Sequence, residues 1–428
     1  MNTGLPAAAS SPRHFAYIDA VRGLAFLAVL SVHTASSVGA FPLKGLFYRG
    51  GYGVQLFFLA SAVTLCYSIS GRSAKEQTPI LNFFIRRFFR IAPLFYLAVV
   101  FYSVFPNSIP RFWTAQWAPT GVHPSFYPIT ALFLHGWYPS TFNSIVPGGW
   151  SIGVEMAFYL LFPLTFRLLN SFGRAAPAAA IGWAMVWLLF HFGPESFQHV
   201  VYPGTPTLLW KFFVSYWFPT QFPVFLTGIA VYWLLKRDDV KQFFRNARNA
   251  WLSLAASVAV LLLLLHSGEN SPGRVCGIIL SIAGIFLSLS GGNLKLLVNR
   301  AICYIGTISF SCYITHFAVL GLLFHLMGAH LDINHIWVET GHRWSNTLLF
   351  LGLFLSGLAG TVAISTLTFR AIESPGGAAG RWLIGYLARR NEAPRSEIRQ
   401  PLPYRRGTQE GAAQAALPED GIILAEGD

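Results

Sequence analysis

A chain of 428 residues in which 54% are hydrophobic, 16% aromatic and only 11% charged lies far from an ordinary soluble domain, where about a quarter of residues carry charge. A mean hydropathy of +0.50 over that length excludes a single buried core and requires apolar stretches along the whole chain. The net charge of +13 does not indicate nucleic-acid binding, because the basic residues form no stripe and sit in short clusters between apolar runs, as in loops held on the cytoplasmic side of a membrane.

After an N-terminal segment, 1–14, the apolar runs fit ten spans: 16–37, 51–70, 91–106, 148–168, 177–193, 213–235, 250–267, 275–290, 302–327 and 347–369. Each approaches the roughly 20 apolar residues that a bilayer crossing takes, the third being short. Residues 24–33 followed by Val38-Gly39-Ala40 have some likeness to a signal-peptide core and cleavage site. The long stretch before them, which includes Asp19, favours a retained span. The stretch 119–146, rich in Pro and aromatics, reads as partly re-entrant. With a cytoplasmic N-terminus, ten spans place 23 Lys and Arg on inner segments and 6 on outer ones, Arg22 falling within a span. The expectation is therefore an all-α polytopic membrane protein with both termini cytoplasmic. Residues 377–428, rich in Pro, Gly, Arg and Glu, read as a disordered cytoplasmic tail. Cys66, Cys276, Cys303 and Cys312 lack metal-ligand spacing and read as free thiols.

Ionisable groups inside spans cost roughly 2.5–3.5 kcal/mol each to insert, which makes each a functional candidate. The first span holds Asp19, Arg22 and His33. Arg22 and His33 are eleven residues apart, close to three helical turns, so one helix face presents both, about 16 Å apart along the axis. Asp19, three residues before Arg22, can pair with it. The bland alternative is a snorkelling arginine and a packed histidine. Arg86, Arg87 and Arg90 open the third span, where they suit either positive-inside anchoring or a grip on phosphate, since a guanidinium meets phosphate oxygens bidentately. Glu155 lies roughly 10 Å into the fourth span, a depth that His33 can share, and an acid there can orient an imidazole and support its protonated form. The late histidines His325, His330, His335 and His342 step by about five residues and do not share one helical face, so no metal site is expected there.

These residues fall in an ordered series of motifs: Arg22 and His33; Gly53-Val54-Gln55-Leu56-Phe57-Phe58 with Ser61; Arg87-x-x-Arg90; Trp150-Ser151 to Glu155 with Phe158-Tyr159; Ile308-Ser309-Phe310 with Tyr313 and His316; and Glu373-Ser374-Pro375. The series, over residues 15–376, resembles the acyltransferase-3 family of membrane enzymes, which move acyl groups from coenzyme A onto carbohydrate hydroxyls. Two departures stand out: Gln55 where that family usually has an acid, and Ala62 in place of the glycine after Ser61. The resemblance implies that acyl-coenzyme A, most often acetyl-coenzyme A, binds with its phosphates near Arg86, Arg87 and Arg90. His33 then acts as general base or transient acyl carrier, with Arg22 along the route and Glu155 orienting His33. Asp19, Ser61, Trp150, Ser151, Ser309, Tyr313 and His316 are further candidates. The implied acceptor is a surface polysaccharide, a lipopolysaccharide unit or a glycolipid at a bacterial inner membrane. Many relatives carry an outer esterase-like domain; this sequence reads without one, so direct transfer or a separate outer-side transferase is expected. The rival class is a transporter or flippase for lipid-linked sugars, for which paired interrupted helices in two halves would be the signature; the sequence shows no such pairing.

Overall fold

Apolar runs bounded by capping residues and prolines become long helices. The computed structural model of the protein describes residues 16–72, 76–105, 116–119, 121–267, 271–327 and 343–392, and among these it is helical with no β-strand. In chain order the main helices are α1 (Ala16–Ser36), α2 (Gly53–Arg72), α3 (Pro79–Val104), α4 (Gly149–Leu168), α5 (Phe172–His191), α6 (Thr207–Tyr216), α7 (Phe218–Lys236), α8 (Ala247–His266), α9 (Pro272–Leu289), α10 (Arg300–Thr307), α11 (Ser309–Leu326), α12 (Arg343–Thr368) and α13 (Ser374–Glu392). Their starts follow local chemistry. Asn246 accepts the N–H groups of Arg248 and Asn249 ahead of α8, Ser271 that of Arg274 in α9, and Asn299 that of Ile302 in α10. Pro79 and Pro272 occupy first turns, where a missing N–H costs nothing.

Nine helical stretches among the described residues are long and apolar enough to cross a membrane, against the ten expected. The expected third span is not one of them. It is α3, a single 26-residue helix that begins at Pro79 and takes Arg86, Arg87 and Arg90 into its first half. Residues 121–146, read as re-entrant, form turns with a short helix, Phe126–Ala131, and bury Phe142, Ile145 and Val146.

The chain also stays helical beyond 376. A π-turn, Phe369–Glu373, leads into α13, which runs to Glu392. Pro375 interrupts the hydrogen-bond ladder, and the widened turn before it absorbs the interruption. Gly376 and Gly380 rest on Phe89 and Pro93 of α3, so glycines that read as tail-like in sequence are close-packing residues. The expected disordered tail is thus corrected over 377–392, and its remainder lies outside the described residues, as do the N-terminal segment 1–14 and His330, His335 and His342. The chain divides into two compact units, Met1–Gly385 and Tyr386–Asp428. The described part of the second, 386–392, is helical.

Within the first unit the largest buried cluster joins α2, α4 and α7 through Phe58, Phe158 and Phe225, with Phe225 stacked on both of its partners at 4.7 and 4.0 Å between centroids. A second cluster, including Phe26, Leu30, Cys312 and Phe350, joins α1, α11 and α12. Between α1 and α10 the backbones touch, because a Cβ on Gly23 would strike the carbonyl of Ile302 and one on Gly306 that of Asp19. That close approach fixes the depth and rotation of α1, and with them the position of Arg22. All four cysteines are free.

Candidate active site

Five helices each contribute one face to a pocket of about 70 Å³. Helix α2 supplies Val54, Phe57, Phe58 and Ser61, spaced i, i+3, i+4 and i+7. Helix α4 supplies Ser151, Ile152, Glu155 and Tyr159, also one stripe. Arg22 comes from α1, Arg87, Arg90 and Ile91 from α3, and Ser309, Phe310 and Tyr313 from α11. Three guanidinium groups therefore share one small chamber with a single lining carboxylate, Glu155.

The chamber's hydrogen bonds hold Glu155 and leave much of the arginine surface open. One Glu155 oxygen accepts from both Ser61 Oγ and Tyr159 OH, each at 2.5 Å. Arg22 donates to Thr64 Oγ1 at 3.0 Å and lies 3.9 Å from Asp19, so the expected pair forms but loosely. The Arg87 guanidinium sits over the rings of Tyr159 and Phe83, at 5.6 and 5.8 Å, and its buried Nε has no hydrogen-bond partner. Stacking of this kind holds a guanidinium flat while leaving its N–H edge available. Among the described residues neither Arg87 nor Arg90 is in a salt bridge. Arg86, expected beside them, points elsewhere. It is one residue and about 100° around the helix from Arg87, and it grips Glu76 with two hydrogen bonds of 2.8 and 3.1 Å. Glu373, in the π-turn, is buried, accepts from Ser311 Oγ at 2.8 Å, and lies within the field of Arg90 and Arg22.

His33 lines a different and larger cavity, of about 900 Å³. Aromatic residues dominate its wall: Tyr52, Trp117, Trp150, Trp183 and Tyr216 among others, with Trp150 and Tyr216 stacked at 4.3 Å and 17°. Amides, hydroxyls, Lys44 and Arg49 supply its polar surface, and among the described residues no carboxylate lines it. Gln55 Nε2 donates to Gln221 Oε1 at 3.1 Å, which leaves the Gln55 oxygen buried and without a partner. Flat aromatic faces interspersed with amides are what a sugar ring needs, apolar C–H faces on one side and hydroxyls to satisfy on the other.

The two chambers share two wall residues, Val54 and Tyr313. Tyr313 OH donates to Gly148 O at 3.1 Å and accepts from Ser151 Oγ at 2.9 Å. Gly148 has φ +75°, and a Cβ there would lie 2.8 Å from the Tyr313 hydroxyl, so only glycine lets the tyrosine reach the wall.

The sequence expectations are thus regrouped. Arg22, Arg87, Arg90, Glu155, Ser61, Ser151, Ser309 and Tyr313 are brought together, while His33 and Trp150 line the other cavity. Arg22 and His33 lie on one helix but open into different chambers. Glu155 does not hold His33; its carboxylate is taken by Ser61 and Tyr159. The neighbours of the His33 ring are His316 and Phe317, at 5.2 and 4.4 Å between centroids. The sequence marks Gln55 only as a departure from an acid, and Tyr159 and Glu373 only as motif members, yet Gln55 lines the large cavity, Tyr159 the small one, and Glu373 is buried near Arg90. The signal for Tyr159 was its place four residues after Glu155, and for Glu373 its place in the closing Glu-x-Pro motif.

Helices fit to cross a bilayer thus enclose a charged chamber beside an aromatic one. Over residues 15–366 the chain matches the acyltransferase-3 family, described as an acyltransferase domain, and it belongs to that family. The chain thus carries an acyltransferase domain among helices fit to cross a membrane. It is 23% identical over 397 residues to the peptidoglycan O-acetyltransferase OatA of Listeria monocytogenes, an alignment that covers 85% of this chain and 56% of that one. The chain therefore spans little more than half the length of that relative. It is 25% identical over 370 residues to the acyltransferase MdmB of Streptomyces mycarofaciens, covering 81% of this chain and 89% of the other. No solved structure matches the chain.

Proposed function

We propose that this enzyme transfers an acyl group, acetyl in the first instance, from acyl-coenzyme A to a carbohydrate hydroxyl at a bacterial inner membrane, with both termini cytoplasmic. The observation that carries this reading is the pairing of chambers: three arginines converge in one, and His33 stands in the aromatic other, across a wall made by Val54 and Tyr313. The donor's phosphates are its strongest anionic feature, and Arg87 and Arg90, with Arg22 behind them, are the groups suited to hold them. The thioester end passes the Val54–Tyr313 wall toward His33. A sugar ring stacks in the larger cavity, offers its hydroxyl to His33 as general base, and satisfies the free oxygen of Gln55 with a second hydroxyl. The relative named for peptidoglycan O-acetylation makes glycan strands the first acceptors to try, while the large aromatic cavity also suits a glycolipid.

The test is transfer of label from [14C]acetyl-coenzyme A by the purified full chain in lipid nanodiscs, offered peptidoglycan fragments, lipopolysaccharide and glycolipids in turn. Base-labile label on one class of glycan, absent with His33→Ala, is the expected result. Label that never leaves coenzyme A with any glycan, or transfer that survives His33→Ala, overturns the reading.

A further inference from the structure

His316 carries a buried nitrogen that nothing in the reaction described above uses. The residue is fully buried on α11. Its Nδ1 lies 2.8 Å from the carbonyl of Tyr313 and 3.2 Å from that of Cys312. A ring nitrogen that faces carbonyl oxygens has to carry the hydrogen, since two acceptors cannot bond each other. In the neutral ring the other nitrogen, Nε2, is then a bare lone pair. That Nε2 is buried and has no hydrogen-bond partner. An acceptor left so is a cost that native structures seldom carry without a use.

The rings around His316 decide what the lone pair can serve. They are Phe26 at 6.0 Å, Phe317 at 4.1 Å, Tyr313 at 5.8 Å and His33 at 5.2 Å. The phenylalanines have no polar hydrogen, and the Tyr313 hydroxyl already donates to Gly148. His33 alone among them has an N–H to give. Among the described residues no carboxylate lines its cavity, and Glu155 is engaged elsewhere.

We propose that His316 is the positioning residue for His33: its Nε2 accepts the N–H of one His33 nitrogen as the two rings close, leaving the other His33 nitrogen bare and facing the cavity. This rests on the proposed role of His33 as base. In the reaction the acceptor hydroxyl gives its proton to that bare nitrogen while its oxygen bonds to the acyl carbon. The C–S bond then breaks, the coenzyme A thiolate leaves with the electron pair, and His33 returns the proton to it. His316 neither gains nor loses a proton; it fixes the tautomer and ring angle of His33 and steadies the imidazolium while it lasts.

The experiment is 15N-histidine solid-state NMR on the full chain in lipid, without substrate, for the wild type, His316→Gln and His316→Phe. The wild type is expected to show His316 protonated at Nδ1 alone and His33 in a single, hydrogen-bonded tautomer. The glutamine oxygen can accept in place of Nε2, so His316→Gln should keep that tautomer, while His316→Phe should give a mixture. In the acetyl-coenzyme A assay with peptidoglycan fragments, His316→Phe should lower kcat on the order of 10²-fold, the low end for general-base catalysis. His316→Gln should recover most of that, with the KM for acetyl-coenzyme A unchanged in both. A His316 protonated at Nε2 in the wild type, or a His33 tautomer indifferent to His316→Phe, overturns the proposal. The wild-type spectrum alone decides if the phenylalanine variant does not fold. Absence of transfer by the wild type would count against the proposed function and leave the spectroscopic result standing.

Discussion

The small chamber and the large cavity share α1, α2, α4 and α11 in their walls, yet the small one adds α3 and the large one α5, α6, α7 and α9, and they differ in charge, size and lining. The small one, about 70 Å³, concentrates Arg22, Arg87 and Arg90 around one carboxylate. The large one, about 900 Å³, is aromatic and amide-lined and holds His33 with no acid among its described lining residues. A charged donor and a bulky neutral ring make opposite demands on their surroundings. One needs fixed cations with little competing water; the other needs flat apolar faces and hydrogen-bonding groups that adapt. In the proposed reaction, separating the two lets each chamber be optimised alone, and the Val54–Tyr313 wall is where the donor would meet the acceptor.

The comparison can be broken most severely at His33. His33→Ala should reduce kcat by roughly 10²–10⁴-fold, the range for loss of a general base, with both KM values little changed and the protein still inserted; near-normal turnover would remove His33 from the chemistry. Next in size is the wall itself. Gly148→Ala imposes a left-handed backbone on a residue with a Cβ, at roughly 1–2 kcal/mol, and pushes against Tyr313 OH. It should lower the melting temperature measurably and impair turnover, and an unchanged melting temperature would show that the wall yields without cost.

Glu155→Gln sharpens the division. Because Glu155 sits with the arginines and its carboxylate is held by Ser61 and Tyr159, removing its negative charge relieves a repulsion on the donor's phosphates and should lower the KM for acyl-coenzyme A by up to about tenfold, roughly 1.4 kcal/mol. If kcat fell and that KM did not, Glu155 would be acting on His33 after all. The smallest effect belongs to Arg86, which is bound to Glu76 outside the chamber. Partial burial alone would raise the Glu76 carboxyl, and the hydrogen bonds from Arg86 and Asn82 outweigh it and hold the group below its ordinary value of 4.5. A depressed carboxylate stabilises the fold above that value and loses the contribution as pH falls through it. The melting-temperature difference between the wild type and Glu76→Gln should therefore be present at neutral pH and shrink below pH 4.5; a difference that grew in acid would contradict the assignment.

Much of this was legible in the sequence, and for a definite reason. Spacing within one helix fixes which residues share a face, so Val54–Phe58–Ser61, Ser151–Glu155 and Arg87–Arg90 were readable as stripes. What spacing does not give is the depth and rotation at which two helices meet. The backbone contact of Gly23 and Gly306 between α1 and α10 sets that for Arg22 and His33, and it depends on residues nearly three hundred positions apart in sequence. For the same reason spacing alone makes Glu155, an acid of suitable depth, a candidate to orient His33, whereas the rings beside His33 are those of His316 and Phe317. The helix α13 was missed because its glycines, which fit it against Phe89 and Pro93, have the composition of a loop.

The division of labour between the chambers is tested most directly by measuring both Michaelis constants for Arg90→Lys. Lysine keeps the charge and loses the planar fork, so a bidentate phosphate contact weakens while the large cavity is untouched. The account predicts a raised KM for acyl-coenzyme A with the acceptor KM unchanged, the pattern of lost ground-state binding. A defect confined to the acceptor, or none in either constant, would contradict it.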